Sequence, residues 1–139
     1  RSAVHESGQR VLAHGLHLGS RLPAHATSTG RVLLAALPPA ELELWLAERE
    51  LPRLTAHTAT EGAALRALLQ QVREQDYCMA REEHELGVQA LAVPLRNMGG
   101  QTLAALNLVT SPQRMEPATM LAQLLPLLQE AARELRPLL

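Results

Sequence analysis

The hydrophobic period of this chain changes near residue 77, and that change constrains the fold more than any other feature. From Thr27 to Asp76, apolar residues recur mostly at helical spacing. From Tyr77 to Thr110 they alternate, which is the pattern of strands whose successive side chains take opposite faces. The alternation is broken at Asn97-Met98-Gly99-Gly100, a hairpin turn signal. Helical spacing returns after Pro117. Strands and helices grouped in this way predict an α+β domain, with an antiparallel sheet and helices packed on it.

The elements follow in order. Arg10 to His14 reads as a short strand after the turn Glu6-Ser7-Gly8-Gln9. Thr27-Ser28-Thr29 offers cap oxygens to a helix carrying Val32 to Leu37, apolar nearly all round and therefore buried. Pro38-Pro39 ends it and opens the next helix, where Leu42, Trp45 and Leu46 share a face. Arg53 to Ala59 is loop. Thr60 is the expected cap of a third helix, with Leu65, Leu68, Leu69 and Val72 as its buried stripe and a left-handed end at Asp76. Strands are expected at Tyr77–Arg81, Val88–Leu95 and Thr102–Thr110. A final helix runs from Pro117 to Leu135, kinked at Pro126.

Composition removes several functions. All 13 basic residues are arginine, against 14 acidic ones, for a net charge of −1. Without lysine there is no Schiff-base chemistry and no phosphate-loop lysine. Asp76 is the sole aspartate, which excludes an EF-hand and a paired-aspartate site. Trp45 and Tyr77 are the only aromatics, too few for a single-strand stacking platform. Near-neutral charge argues against a basic DNA-binding face. The single cysteine, Cys78, forms no internal disulfide and fits a cytoplasmic location. No apolar run approaches the roughly 20 residues of a membrane span. The length predicts one domain over residues 1–139, and the start at Arg1 suggests a piece of a longer protein.

Two features carry chemistry. On the strand pair 88–95 and 103–109, Leu91, Val93, Leu95, Leu106 and Leu108 fall on one face. Val88, Ala90, Ala92, Ala105, Asn107 and Val109 fall on the other. A covered face of small residues with one polar group leaves space for a small molecule. The plainer alternative is that the alanines admit a close helix while Asn107 bonds a neighbouring backbone. The second feature is Thr27-Ser28-Thr29-Gly30-Arg31: a helix start with free N–H groups at Ser28 to Arg31 suits a carboxylate. Gly30 would let a ligand or a neighbouring chain approach the backbone closely. Ordinary capping is the alternative there.

Catalytic and metal patterns are missing. No G-x-S-x-G elbow or H-E-x-x-H spacing occurs. His14 and His17 face opposite sides of an apparent strand, and Glu82-Glu83-His84 lacks metal-ligand spacing. Cys78 reads as a strand residue rather than a nucleophile. The expectation is no enzyme, no cofactor and no metal.

Four motifs in order give a resemblance. They are Gly19-x-x-Leu22-Pro23-x-His25-Ala26-Thr27-Ser28-Thr29-Gly30-Arg31, then Tyr77-Cys78 through Glu82-Glu83-His84-Glu85-x-Gly87-Val88, then Gly99-Gly100 with Ala104-Ala105-Leu106-Asn107, and the Leu124-Leu125-Pro126-Leu127-Leu128 helix. Together they resemble the effector-binding domain of IclR-type bacterial transcription regulators. The resemblance implies a profilin/GAF-like antiparallel sheet flanked by helices and assembly as a homodimer or homotetramer. It also implies a winged helix-turn-helix DNA-binding domain outside this chain. It implies a small organic carboxylate as effector, with Ser28, Thr29 and Gly30 near the carboxylate and Ala80, Val88, Ala90, Asn107 and Val109 lining the rest.

Departures sharpen that expectation. Members resembling 2-oxo-acid sensors carry an acidic residue where Ala80 stands and a thiol where Ala90 stands; both are methyl groups here. Asp76 replaces the usual Gly before the Tyr. More room and fewer polar groups suggest a larger, flatter acid, and the wording resembles the branch that responds to protocatechuate or 4-hydroxybenzoate. The competing expectations are a 2-oxo-acid sensor, an oligomerisation module with a vestigial pocket, and last a small hydrolase.

Overall fold

A computed structural model of the chain describes residues 23–139; the expected strand Arg10–His14, together with His14 and His17, lies outside them. The described part is α+β, as the period change predicted. A short 3-10 turn, Ala24–Ala26, leads into α1 (Ser28–Ala35). Helices α2 (Pro39–Ala47) and α3 (Gly62–Gln75) follow. Next come β1 (Cys78–Arg81), β2 (Gln89–Arg96) and β3 (Thr102–Thr110). The C-terminal helical run comprises α4 (Pro117–Thr119), a π-helical stretch Met120–Leu124 and α5 (Leu125–Leu135).

The local causes are those the residues suggested, with one exception. Thr27 caps α1 by accepting a hydrogen bond from the Gly30 amide. Pro39 occupies the first turn of α2, where its missing N–H costs nothing. Asp76 ends α3 in the left-handed region at φ 65°. Thr60 is not the cap of α3: the cap position is Glu61, without a side-chain bond, and the Thr60 hydroxyl instead accepts from the Arg53 guanidinium. The hairpin closes through Asn97, whose carbonyl accepts from Gly100, itself at φ 84°. The expected irregularity at Pro126 takes the form of a widened turn just before it. Pro126 has no N–H to give the carbonyl of Ala122, and the wide turn ahead of it runs Leu125 N to Met120 O.

The strands form an antiparallel sheet in the order β1-β2-β3. Cys78 pairs with Ala92 and Ala80 with Ala90; Ala90 pairs in turn with Val109, and Ala92 with Asn107. The expected division of faces follows directly from this register. On the large-residue face, Leu91 and Val93 pack with Met120 and Leu128, flanked by Leu121, Leu124 and Leu125. On the small-residue face, Cys78 and Ala92 pack with Val32, Leu34 and Ala35 of α1 and with Leu65, Leu69 and Val72 of α3. Leu65 and Leu69 are completely buried, each contributing about 1.5–3 kcal/mol relative to exposure. Trp45 lies half-buried against this cluster, with the Arg49 guanidinium over its ring. Among the described residues, no helix is long and apolar enough to cross a membrane.

Candidate functional site

Helix α1 crosses the small-residue face, but its apolar side chains begin only at Val32. Over the end of the face carrying Ala80, Ala90 and Val109 lies instead its polar start. A cleft of about 540 Å³, open mouth included, forms between them. Its floor is Ala80, Val88, Ala90, Asn107 and Val109. One side is Ala26, Thr27, Ser28 and Thr29; the other is the Glu83-His84-Glu85 segment of the β1–β2 connection. The lining is mainly apolar with a few polar groups, the usual character of a small-molecule site.

The structure therefore gathers Ser28, Thr29, Ala80, Val88, Ala90, Asn107 and Val109 around one cleft. Gly30 is the exception and needs correction. It does not line the cleft, and its amide is taken by Thr27 Oγ1 at 3.2 Å. The Arg31 amide is taken as well, by the Thr27 carbonyl at 3.0 Å. The amides of Ser28 and Thr29 have no acceptor among the described residues. Free donors at the helix start thus number two residues, not four, and they lie at the positive end of the α1 dipole. Gly30 is required for a different approach from the one expected. A Cβ there would overlap the Cα and carbonyl oxygen of Ala24, so the glycine lets α1 seat against the preceding turn of the same chain.

The Asn107 side-chain amide makes no hydrogen bond among the described residues, so the alternative in which it is satisfied by a neighbouring backbone does not occur there. It stands half-buried on the cleft floor with both donor and acceptor available.

Arg31 does not line the cleft. It is 1% exposed, its Nε donates to the His25 carbonyl at 2.8 Å, and its two terminal nitrogens grip the Glu83 carboxylate side by side. The Glu83 side chain is 14% exposed. The Ala59 amide adds a further bond to Glu83 Oε1. The fork-on-fork pairing answers the charge of this largely buried carboxylate inside the protein. The guanidinium is consequently engaged within the protein. Cys78, under the filled part of the same face, is buried, and burial pushes its thiol up to about 11, so it stays protonated and inert.

Glu83, His84 and Glu85 were legible as a motif but not as a cleft wall. The signal that could have pointed to them is the turn at their two ends: Glu82 sits at φ 54° and Gly87 at φ 79°. Two left-handed positions fold the connection back over the sheet rather than away from it. No group of three or more His, Cys, Asp or Glu among the described residues could hold a metal.

The sequence matches the family described as bacterial transcriptional regulator IclR C-terminal over residues 5–136. The chain belongs to this IclR C-terminal family. It is 48% identical over 139 residues to the Pca operon regulatory protein of Acinetobacter baylyi, covering all of this chain and 50% of that one. It is also 48% identical over 129 residues to the p-hydroxybenzoate hydroxylase transcriptional activator of the same organism, covering 93% of this chain and 48% of that one. The chain thus spans about half the length of the curated relatives it matches. Among solved structures, it superposes with a TM-score of 0.86 on a double mutant of the PobR inducer-binding domain from Acinetobacter, in complex with 3-hydroxybenzoic acid. That match is 49% identical and covers 90% of this chain and 71% of the other. By family, this is an effector-binding domain of IclR-type regulators, a group of transcription factors rather than enzymes.

Proposed function

We propose that this chain senses a small aromatic carboxylate, of the hydroxybenzoate or protocatechuate kind, in the cleft between α1 and the sheet. The observation that carries the reading is the pairing of the Ser28 and Thr29 amides, which have no acceptor among the described residues, with a floor of Ala80, Ala90 and Val109. The amides take the carboxylate and Asn107 offers a second polar contact. The ring packs on methyl and methylene groups, since no Phe, Tyr or Trp among the described residues lines the cleft. Methyl groups at Ala80 and Ala90 leave width for a ring, where a 2-oxo acid would be under-filled. The names of the relatives, which concern the pca operon and p-hydroxybenzoate hydroxylase, support the same ligand class.

In the whole regulator, DNA is contacted by a separate N-terminal domain, and the protein works in the cytoplasm as a homodimer or homotetramer. Effector binding switches transcription only through a difference in affinity between two arrangements of that assembly. Calorimetry and thermal shift with benzoate, 4-hydroxybenzoate, protocatechuate, pyruvate and glyoxylate test the assignment. The aromatic acids raise the melting temperature and the 2-oxo acids do not. No shift from any aromatic acid at millimolar concentration rejects it.

A further inference from the structure

The Glu83–Glu85 wall of the cleft is held from two sides. From the α1 side, Arg31 holds the Glu83 carboxylate, and the Ala59 amide of the loop between α2 and α3 adds a bond to it. From behind, the loop between α2 and α3 holds the backbone. Thr58 Oγ1 donates to the Glu83 carbonyl at 2.5 Å, and Thr55 Oγ1 donates to the Glu82 carbonyl at 2.5 Å. Thr58 is buried, and its hydroxyl is fully used: it also accepts from the Leu54 amide at 3.1 Å and the Thr55 amide at 2.9 Å. The loop's start is pinned in turn, because the Pro52 carbonyl, which can only accept, lies 2.9 Å from His25 Nε2 beside α1. Neither Thr55 nor Thr58 lines the cleft.

We propose that Thr58 is a positioning residue for the effector, a buried hydroxyl one layer behind the cleft that sets the distance between the Glu83–Glu85 wall and the start of α1. The division of labour follows from the bonds. The Arg31–Glu83 pair ties side chain to side chain and survives a change at Thr58, so the fold persists. The Glu83 carbonyl, by contrast, is held by the Thr58 hydroxyl, and without that bond the wall can shift while its other ties remain. A site displaced by a fraction of an ångström keeps its residues and loses its fit. The inference rests on the proposed effector site.

The test uses the 139-residue chain with 4-hydroxybenzoate and protocatechuate as probes, titrated by calorimetry at a temperature where circular dichroism shows each variant folded. Thr58→Val keeps the volume and removes the hydroxyl; it weakens binding about tenfold, the loss of one buried hydrogen bond. Thr58→Ser keeps the hydroxyl and restores affinity to within about twofold of the parent. Thr55→Val, half-buried and milder, falls between and carries the test should Thr58→Val not fold. Parental affinity in the valine variants overturns the proposal and leaves the effector site standing. Equal losses in Thr58→Val and Thr58→Ser also overturn it, because packing rather than the hydroxyl would then matter. A parent chain that binds neither acid removes the effector site and this inference together.

Discussion

The two ends of the small-residue face are built from the same materials and end up differently. Cys78 and Ala92 form one rung; Ala80 and Ala90 form the next on that face, two residues and about 7 Å along the strands. The first rung, Cys78 and Ala92, is buried in a core cluster with Val32, Leu69 and Val72, and neither residue lines the cleft. Over the second lies the first turn of α1, with Ser28 and Thr29 in place of apolar side chains, and a cleft remains. Small residues on a sheet therefore do not make a pocket by themselves. What decides is the helix register above them: a helix that starts over the alanines brings amides and short polar groups, and a helix that has completed a turn brings valine and leucine.

Mutations can break this contrast, and the largest effect is expected at the open end. Glu83→Ala leaves the Arg31 guanidinium buried without a counter-charge, and should cost about 3–5 kcal/mol in urea denaturation. A loss below about 1 kcal/mol would place the pair among surface ion pairs instead. At the filled end, Leu69→Ala empties a completely buried position and should cost about 2–5 kcal/mol by the same measurement, with no change in effector specificity.

A matched pair of substitutions sharpens the contrast further. Ala92→Leu forces a larger side chain into the filled end and should destabilise by about 1–3 kcal/mol. Ala90→Leu, one rung away, enters the cleft. Its stability should stay within about 1 kcal/mol of the parent, while calorimetry detects no binding of 4-hydroxybenzoate. Equal stability losses at both positions would mean that the cleft closes in solution.

The smallest effect concerns Glu43 and Arg66, a second fork-on-fork pair that is exposed on α2 and α3. The Arg66 hydrogen bonds hold the Glu43 carboxyl below its usual value of 4.5. A depressed folded value means that its contribution is present above the ordinary carboxylate range and is lost as pH falls through the folded value. Melting temperatures of the parent and Glu43→Gln should differ slightly at neutral pH and converge in acid. A pH-independent difference would assign the effect to packing.

Much of this was legible in the residues. Period-two alternation placed Asn107 with Ala90 and Val109 on one face, and it bounded β3 at Thr102–Thr110 because strand geometry is local. Asp76 marked the end of α3 for the same reason, since a left-handed position is a property of one residue. Thr60 misled, because α3 starts one position later and the hydroxyl accepts from Arg53 instead. Gly30 misled in the same way: its amide and its missing Cβ are both used within the chain, by Thr27 and Ala24.

The sequence by itself determined the α+β class, the two faces of the sheet and the polar start of α1, because each depends on residues within a few positions of one another. Only the tertiary structure decided that Arg31 meets Glu83, 52 positions away, and that Thr58 holds the wall from behind. It also decided that the cleft opens over Ala90 and not over Ala92. Periodicity says which way a side chain points; it does not say what arrives from elsewhere in the chain to meet it. That depends on how the elements pack in three dimensions.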